Sequence, residues 1–152
     1  MSDATPQPQI KHKTFTFRTK MEWAGGRGGN SSAEGKPTFR VASPPEFKGE
    51  AGVWSPEDLL VQALNACTMS TFVSFATKKN LPLQAYTSEA SGLLEFVDGH
   101  FEFTKLNVDV TMRLGPGGTE AEAKKILDDA HHACLISNSL KGKVTVTGRV
   151  VH

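Results

Sequence analysis

Residues 55–79 constrain the fold more than any other stretch of the chain. Ser55 is a favourable N-cap, and Pro56 suits the first helical position because an N–H there would have no intrahelical partner. Acidic residues follow in the first turn and lysines close the last turn, which matches the polarity of the helix dipole. The stretch therefore predicts one long helix that ends before Asn80.

The apolar residues of this predicted helix cover most of its circumference, which is typical of a buried helix. Its charges lie only at the two ends, as in a membrane span, but hydroxyl and amide side chains along the middle argue against a bilayer. A central helix covered by a β-sheet fits better. Because one sheet covers only one side of a helix, the remaining apolar surface predicts that a second copy of the chain covers the other side.

The chain has 152 residues and a formal net charge of +1. This length favours a single domain, which we place at residues 12–152 after a disordered lead-in at residues 1–11. The near-neutral charge, without a long basic run, argues against nucleic acid or an anionic membrane as a partner. The polar N-terminus lacks the apolar core of a secretory signal, so we expect a cytoplasmic chain. In that compartment its two cysteines are not expected to form a permanent structural disulfide.

Alternating apolar residues predict two strands before the helix. The first, residues 12–23, carries its apolar side chains on one half-buried face: Phe15, Phe17, Met21 and Trp23. Residues 24–36 are rich in Gly, Ser and Asn and predict a long loop. Residues 37–42 predict a second strand that pairs back on the first as a hairpin.

After the helix, residues 83–97 and 100–114 predict two strands joined by the two-residue turn Asp98-Gly99. A slip in the alternation of the return strand predicts a β-bulge near Thr104. Thr119 predicts the start of an amphipathic helix with a capping box, and a short helical turn and a last strand follow it. The predicted order β-β-α-β-β-α-β is that of an α+β fold.

The two cysteines have several possible roles. Cys67 lies in the middle of the first helix and Cys134 follows the second helix. Two buried, inert thiols are one interpretation. A redox pair is another, and it needs a cation such as Arg27 or Arg40 to lower the pKa of one thiol. A metal site that includes His131 is the least favoured interpretation because the spacing of a zinc site is absent.

Glu57 is a second candidate for a functional role. It stands in the first turn of the long helix, where the helix dipole alone explains a negative charge. At about 1.5 Å per residue it lies about 15 Å from Cys67 along the helix axis. Glu57 therefore does not reach that thiol along one straight helix, and a site that uses both would be completed by a partner subunit.

Two sequence phrases resemble the OsmC/Ohr family. SPEDLLVQALNAC, which ends at Cys67, resembles the first cysteine helix of that family, and HHACLISNSLKGKVTV, which contains Cys134, resembles its second cysteine segment. The similarity extends over residues 12–151, and the two cysteines stand at matching places. The chain is therefore similar to this family over nearly its whole length.

The resemblance implies an α+β fold in which antiparallel sheet wraps around the long central helices of an intertwined homodimer. It also implies an antioxidant thiol peroxidase that reduces organic hydroperoxides, and hydrogen peroxide less well. No metal, flavin or other cofactor is expected, and the reductant would be a small dithiol or a lipoylated protein. The alternative on the same fold is a non-enzymatic dimeric module that binds a small apolar ligand.

The resemblance also implies roles for individual residues. Cys67 matches the peroxidatic cysteine, Cys134 the resolving cysteine and Glu57 the family's carboxylate. Arg40 is the preferred match for the family's arginine, and Arg27 is the alternative. For the alkyl part of the substrate we expect an apolar pocket lined by Phe47, Trp54, Met69 and Phe72.

Overall fold

The structure, a computed structural model, describes residues 12–152. These residues form two compact units, of which the first extends to Val53 and the second comprises Trp54–His152. The predicted disordered lead-in at residues 1–11 lies outside the described residues.

The N-terminal unit is an antiparallel sheet of three strands in the order β1-β2-β3. Its elements are β1 (Lys20–Trp23), β2 (Gly28–Ser32), β3 (Phe39–Ala42) and a short 3-10 helix at Pro45–Phe47.

The first strand is much shorter than predicted. Residues 12–19 have no regular secondary structure, and the strand begins only at Lys20. The predicted half-buried face was also wrong within one chain, because its side chains are 77%, 93%, 57% and 79% exposed at Phe15, Phe17, Met21 and Trp23. The alternation of apolar residues indicates a strand with one apolar face, but it does not determine whether the rest of the chain covers that face.

The central strand, β2, lies inside the stretch that was predicted to be a loop. Gly28 and Gly29 are both buried, and a Cβ added at Gly29 would come within 2.5 Å of the Glu22 carbonyl oxygen. Glycine is required here because the neighbouring backbone approaches so closely, so residues that usually mark a loop form a strand. As a result β3 pairs with β2, and the predicted hairpin between the first and second strands was wrong.

The C-terminal unit contains the long helix and a second sheet of three strands in the order β4-β5-β6. Its elements are α1 (Pro56–Lys78), β4 (Leu83–Val97), β5 (His100–Leu114), α2 (Glu120–Ala133), α3 (Leu135–Ser139) and β6 (Lys143–Val151). β5 is antiparallel to β4 and parallel to β6. Parallel strands need a crossover connection, and α2 and α3 form it.

Three local predictions for this unit are confirmed, whereas at the start of α2 the Thr119 hydroxyl accepts from the N–H of Glu122 and forms only this half of the predicted capping box. Ser55 caps α1 in a capping box with Asp58, in which each side chain accepts a hydrogen bond from the other residue's N–H. Asp98 and Gly99 have φ angles of 49° and 87°, as the tight turn between β4 and β5 requires. Thr104 is the unpaired residue of the predicted β-bulge, because the register shifts between Leu93 and Leu94.

The core lies between the inner face of this sheet and the helices. β5 contributes alternate residues: Leu106, Val108, Val110 and Met112. α2 contributes the predicted apolar stripe: Ala123, Ile126, Leu127 and Ala130. From α1, Leu64 and Phe72 enter the same core with no exposed surface.

Only one side of α1 is covered within one chain. The buried residues recur every four positions: Leu64, Thr68, Phe72 and Ala76. On the remaining surface, Met69 and Val73 are 43% and 39% exposed. By length and apolar composition α1 would suffice for a membrane span, a property that it shares with core helices of soluble proteins.

Candidate functional site

The fold brings the two cysteines together. Cys67 lies in the middle of α1, and Cys134 is the residue that separates α2 from α3 and serves as the N-cap of α3. Both are free thiols, and they lie close enough for each to shift the pKa of the other. Cys134 has no exposed surface, whereas Cys67 is half-buried.

The surroundings of Cys67 favour its thiolate form. Burial is the largest influence and raises the pKa of the Cys67 thiol. Hydrogen bonds donated by the backbone N–H of Ile136, the Cys134 thiol and the Thr71 hydroxyl act in the opposite direction, and the N–H of Leu135 adds to them. Together these donors outweigh burial, so the pKa of Cys67 lies below its usual value.

Cys134 shows the opposite behaviour. Burial raises the pKa of its thiol, and the adjacent Cys67 raises it further. A hydrogen bond from the N–H of Ser137 reduces this effect without cancelling it. Cys67 therefore ionises first, and Cys134 keeps its proton at neutral pH.

In the N-terminal unit, Arg40 pairs with a carboxylate that the sequence analysis did not consider, Glu50. Arg40 Nε donates to Glu50 Oε2 over 2.8 Å, and Arg40 Nη2 donates to Glu50 Oε1. This hydrogen-bonded pair raises the pKa of Arg40 and lowers that of Glu50. The guanidinium lies against Gly28, where an added Cβ would be 2.7 Å from Arg40 Nη2.

The second candidate arginine, Arg27, hydrogen-bonds to backbone groups among the described residues. Arg27 Nη1 donates to the carbonyl oxygen of Phe47 over 2.7 Å, and its own carbonyl accepts from the N–H of Ser43 over 3.1 Å. Within residues 12–152 no carboxylate forms an ion pair with Arg27. Its charge therefore remains available for another anionic group.

Glu57 lines a cavity of about 410 Å³ between the first half of α1 and the sheet. Trp54 and Phe103 form aromatic walls of this cavity, and Val61 and Asn65 continue the α1 side. The Oε2 atom of Glu57 is buried and has no hydrogen-bond partner among the described residues. A buried carboxylate oxygen without a donor is costly, so this position calls for a cation or an N–H group.

The four predicted pocket residues lie in different surroundings. Trp54 lines the cavity beside Glu57, whereas Phe72 is fully buried in the core with its ring 5.5 Å from that of Tyr86. Met69 is exposed on α1, and Phe47 belongs to the N-terminal unit. A substrate pocket built from all four stays a prediction.

Comparison with known proteins identifies the family of this chain. The family model described as OsmC-like protein matches residues 49–148, which include both cysteines and Glu57. The chain belongs to the OsmC-like family.

Relatives and solved structures agree with this assignment. An uncharacterized protein of Acinetobacter baylyi is 31% identical over 145 residues, which cover 93% of this chain and 96% of that protein. The organic hydroperoxide resistance protein of Xanthomonas axonopodis pv. citri is 28% identical over 127 residues, 81% of this chain and 86% of that protein. An OsmC-like protein of unknown function from Vibrio cholerae shares the fold with a TM-score of 0.81 and 21% identity, over 91% of this chain and 100% of that one. The predicted OsmC-like α+β fold is thereby confirmed.

Sequence reasoning missed several groups around the cysteines of this OsmC-like chain. The contact of Thr71 with Cys67 could have been predicted, because residues four apart on a helix share a face. The Oγ1 atom of Thr71 is 3.9 Å from the Cys67 sulfur. The donors Ile136 and Leu135 carry no local signal, since only the packing of α3 against α1 brings their N–H groups to Cys67. Within residues 12–152 no group of three or more His, Cys, Asp or Glu residues is arranged to hold a metal ion.

The role of Thr71 can be tested by Thr71→Val, which removes the hydroxyl and keeps the branched shape. We expect a higher pKa for Cys67 and, at a pH below that pKa, slower alkylation of Cys67 by iodoacetamide, because only the thiolate reacts. Peptide mass spectrometry as a function of pH measures both. Thr77→Val is the matched control, because among residues 12–152 the Thr77 hydroxyl bonds only to the Val73 carbonyl on the same helix. Equal titration curves for the two variants would contradict the role of Thr71.

Proposed function

We propose that this OsmC-like protein is a thiol peroxidase that reduces organic hydroperoxides, and hydrogen peroxide less well. One observation carries the proposal: two free thiols lie close enough to shift each other's pKa, and the two pKa values are shifted in opposite directions. A nucleophilic thiolate beside a protonated partner thiol is what a two-cysteine peroxidase requires. The relatives named organic hydroperoxide resistance proteins support the choice of substrate class.

The chemical steps use the two cysteines in turn. The Cys67 thiolate attacks the distal oxygen of ROOH, the O–O bond breaks, and the alkoxide takes a proton and leaves as the alcohol. Cys67 is then a sulfenic acid. Cys134 condenses with it, water leaves, and a disulfide forms. A small dithiol or a lipoylated protein in the cytoplasm reduces that disulfide and returns both thiols.

Cys67→Ser provides the test of this function. In the presence of a dithiol and cumene hydroperoxide, the wild-type protein is expected to consume peroxide, and the variant is expected to fall to the rate measured without protein. Wild-type protein treated with one equivalent of peroxide should lose two hydrogens by mass, at a Cys67–Cys134 linkage. Equal slow rates, with both thiols intact after treatment, would favour the module that binds a small apolar ligand.

An arginine is proposed to stabilise the Cys67 thiolate with the help of Glu57. Arg40 was the preferred candidate on resemblance, but its guanidinium already pairs with the Glu50 carboxylate. Arg27 has only backbone partners among residues 12–152, so its charge is the more available of the two. We therefore favour Arg27 for this role and Arg40 as the residue that anchors Glu50.

Arg27→Gln and Arg40→Gln distinguish the two candidates. For Arg27→Gln we expect a higher pKa of Cys67 and a loss of about 10²-fold in the rate constant with peroxide, the usual effect of removing one preorganised donor. Arg40→Gln is expected to have the smaller effect on both. Stopped-flow kinetics over a pH series gives both quantities. A larger loss in Arg40→Gln would assign the role to Arg40.

A homodimer is part of the proposal. Within one chain α1 leaves apolar side chains exposed, and so does the N-terminal segment that carries Phe17 and Trp23. The unpartnered oxygen of Glu57 also calls for a donor that the described residues do not supply. A second copy that packs along α1 would bury the exposed side chains of α1 and bring its own residues near the Glu57 oxygen.

Val73→Glu tests the dimer, because it places a charge on the exposed apolar side of α1. The wild-type protein is expected to have a solution mass of about twice 16.4 kDa, and the variant a mass near 16.4 kDa. Analytical ultracentrifugation over a concentration series measures this. Ala121→Glu adds the same charge at an exposed position of α2 and should leave the mass unchanged. A wild-type protein that sediments as a monomer contradicts the proposal.

A further inference from the structure

The connection between α3 and β6, residues 140–142, is attached to β5 at two points. Gly142 lies so close to β5 that an added Cβ would be 2.3 Å from the Phe103 carbonyl oxygen. One residue earlier, Lys141 Nζ donates to Glu102 Oε2 over 2.6 Å. A close backbone approach and an ion pair thus hold this connection, the α3–β6 junction, against the part of β5 that contains the β-bulge.

Glu102 is the acceptor in this ion pair and is the less exposed of the two partners. Its side chain is 21% exposed, and the same Oε2 atom lies 2.9 Å from His100 Nε2. The hydrogen bond from Lys141, and after it that from His100, keeps the pKa of Glu102 below its usual value. The carboxylate is therefore charged at neutral pH, when it pairs with the lysine of the junction.

The position of α3 depends on how its two ends are attached, because a helix of five residues is not stable by itself. At its start, the N–H of Asn138 donates to the Cys134 carbonyl over 3.0 Å. The Asn138 side chain also donates to the His132 carbonyl over 3.1 Å, which joins α3 to the end of α2. At its other end, α3 continues directly into the α3–β6 junction.

Both cysteines depend on the position of α3. The packing of α3 against α1 brings the N–H groups of Leu135 and Ile136 to Cys67. Cys134 is the N-cap of α3, and its side chain has no exposed surface. A displacement of α3 would withdraw the donors from Cys67 and would admit solvent to Cys134.

We propose that Glu102 is a positioning residue for the two thiols, because through Lys141 it fixes the α3–β6 junction and with it the helix that begins at Cys134. Gly142 has the same role, since only a residue without a Cβ can approach the Phe103 carbonyl so closely. In its consequence for catalysis this inference rests on the proposed peroxidase function: residues outside the site hold the donors of the attacking thiolate and limit access to its partner.

Glu102→Gln tests the ion pair, because it removes the charge and keeps the shape of the side chain. We expect iodoacetamide to alkylate the buried Cys134 about threefold faster, the effect of losing one partly exposed ion pair. We also expect the pH midpoint of Cys67 alkylation to rise, because its N–H donors are held less firmly. Peptide mass spectrometry of the reduced protein over a pH series measures both quantities without peroxide.

Two further variants make this test specific to the junction. Lys141→Gln should reproduce both changes, and the double variant with Glu102→Gln should add little to them, because both substitutions remove the same interaction. His100→Gln is the matched control, since His100 contacts the same carboxylate but lies at the start of β5 rather than in the junction. It should leave the alkylation of both cysteines unchanged.

Gly142→Ala tests the second point of attachment. The added methyl group overlaps the Phe103 carbonyl, so the junction has to shift, and we expect about tenfold faster alkylation of Cys134 from this overpacking. The pH midpoint of Cys67 should rise as well. Gly118→Ala is the matched control, because its Cβ would be 2.9 Å from Pro82 Cγ but lies at the opposite end of α2 from α3. It should change neither thiol.

The two thiols separate a positioning role from general loosening of the fold. Faster alkylation of Cys134 with a higher pH midpoint for Cys67, in both Glu102→Gln and Gly142→Ala, supports the inference. Faster alkylation of both cysteines with an unchanged midpoint overturns it, and so does unchanged alkylation in both variants. Consumption of cumene hydroperoxide by the wild-type protein is measured separately, so a failure of the proposed peroxidase is distinguished from a failure of the positioning role.

Discussion

The contact between the thiols of Cys67 and Cys134 depends on how closely α1 packs against α2 and α3. Small residues on α2, Ala123 and Ala130, are fully buried in the core that Leu64 and Phe72 of α1 also enter. Small side chains let helix axes approach, and the large α1 side chains fill the space beside them. The one buried hydroxyl on this face of α1 does not oppose the packing, because Thr68 donates to the Leu64 carbonyl over 2.9 Å. Interior packing thus determines the distance between the two thiols.

The pKa values of the two thiols are shifted in opposite directions because the two cysteines occupy different positions relative to the helices. The N–H groups around Cys67 are hydrogen-bonded within α1, so N–H donors to its thiolate have to come from another element. The first turn of α3 has N–H groups without intrahelical partners, and Ile136 and Leu135 supply two of them. Cys134 is the N-cap of that same short helix, and it faces the negative charge that these donors favour on Cys67. One helix end therefore separates the acidities of two cysteines.

The parts of the fold that were predictable from sequence are those fixed by neighbouring residues. Ser55 and Asp58 determine the start of α1, and Asp98-Gly99 determines the turn of the long hairpin. β2 was missed because its glycines are needed for contact with other strands, which no local pattern records. Glu50 was missed for the same reason, since it reaches Arg40 across a loop. The proximity of the two cysteines followed only from family resemblance, because their separation in sequence does not indicate it.

The parallel pairing of β5 with β6 has a consequence for how the chain acquires its chemistry. Paired residues such as Leu106 and Val144 lie far apart in sequence. The crossover between these two strands contains Cys134. Contacts of this kind form late, since the entropy of closing the long connection is lost before the strands gain stability. Until the crossover docks, Cys67 lacks its donors and its partner. A nascent chain on the ribosome therefore carries two ordinary thiols, and the difference between their pKa values arises only with completion of the tertiary structure.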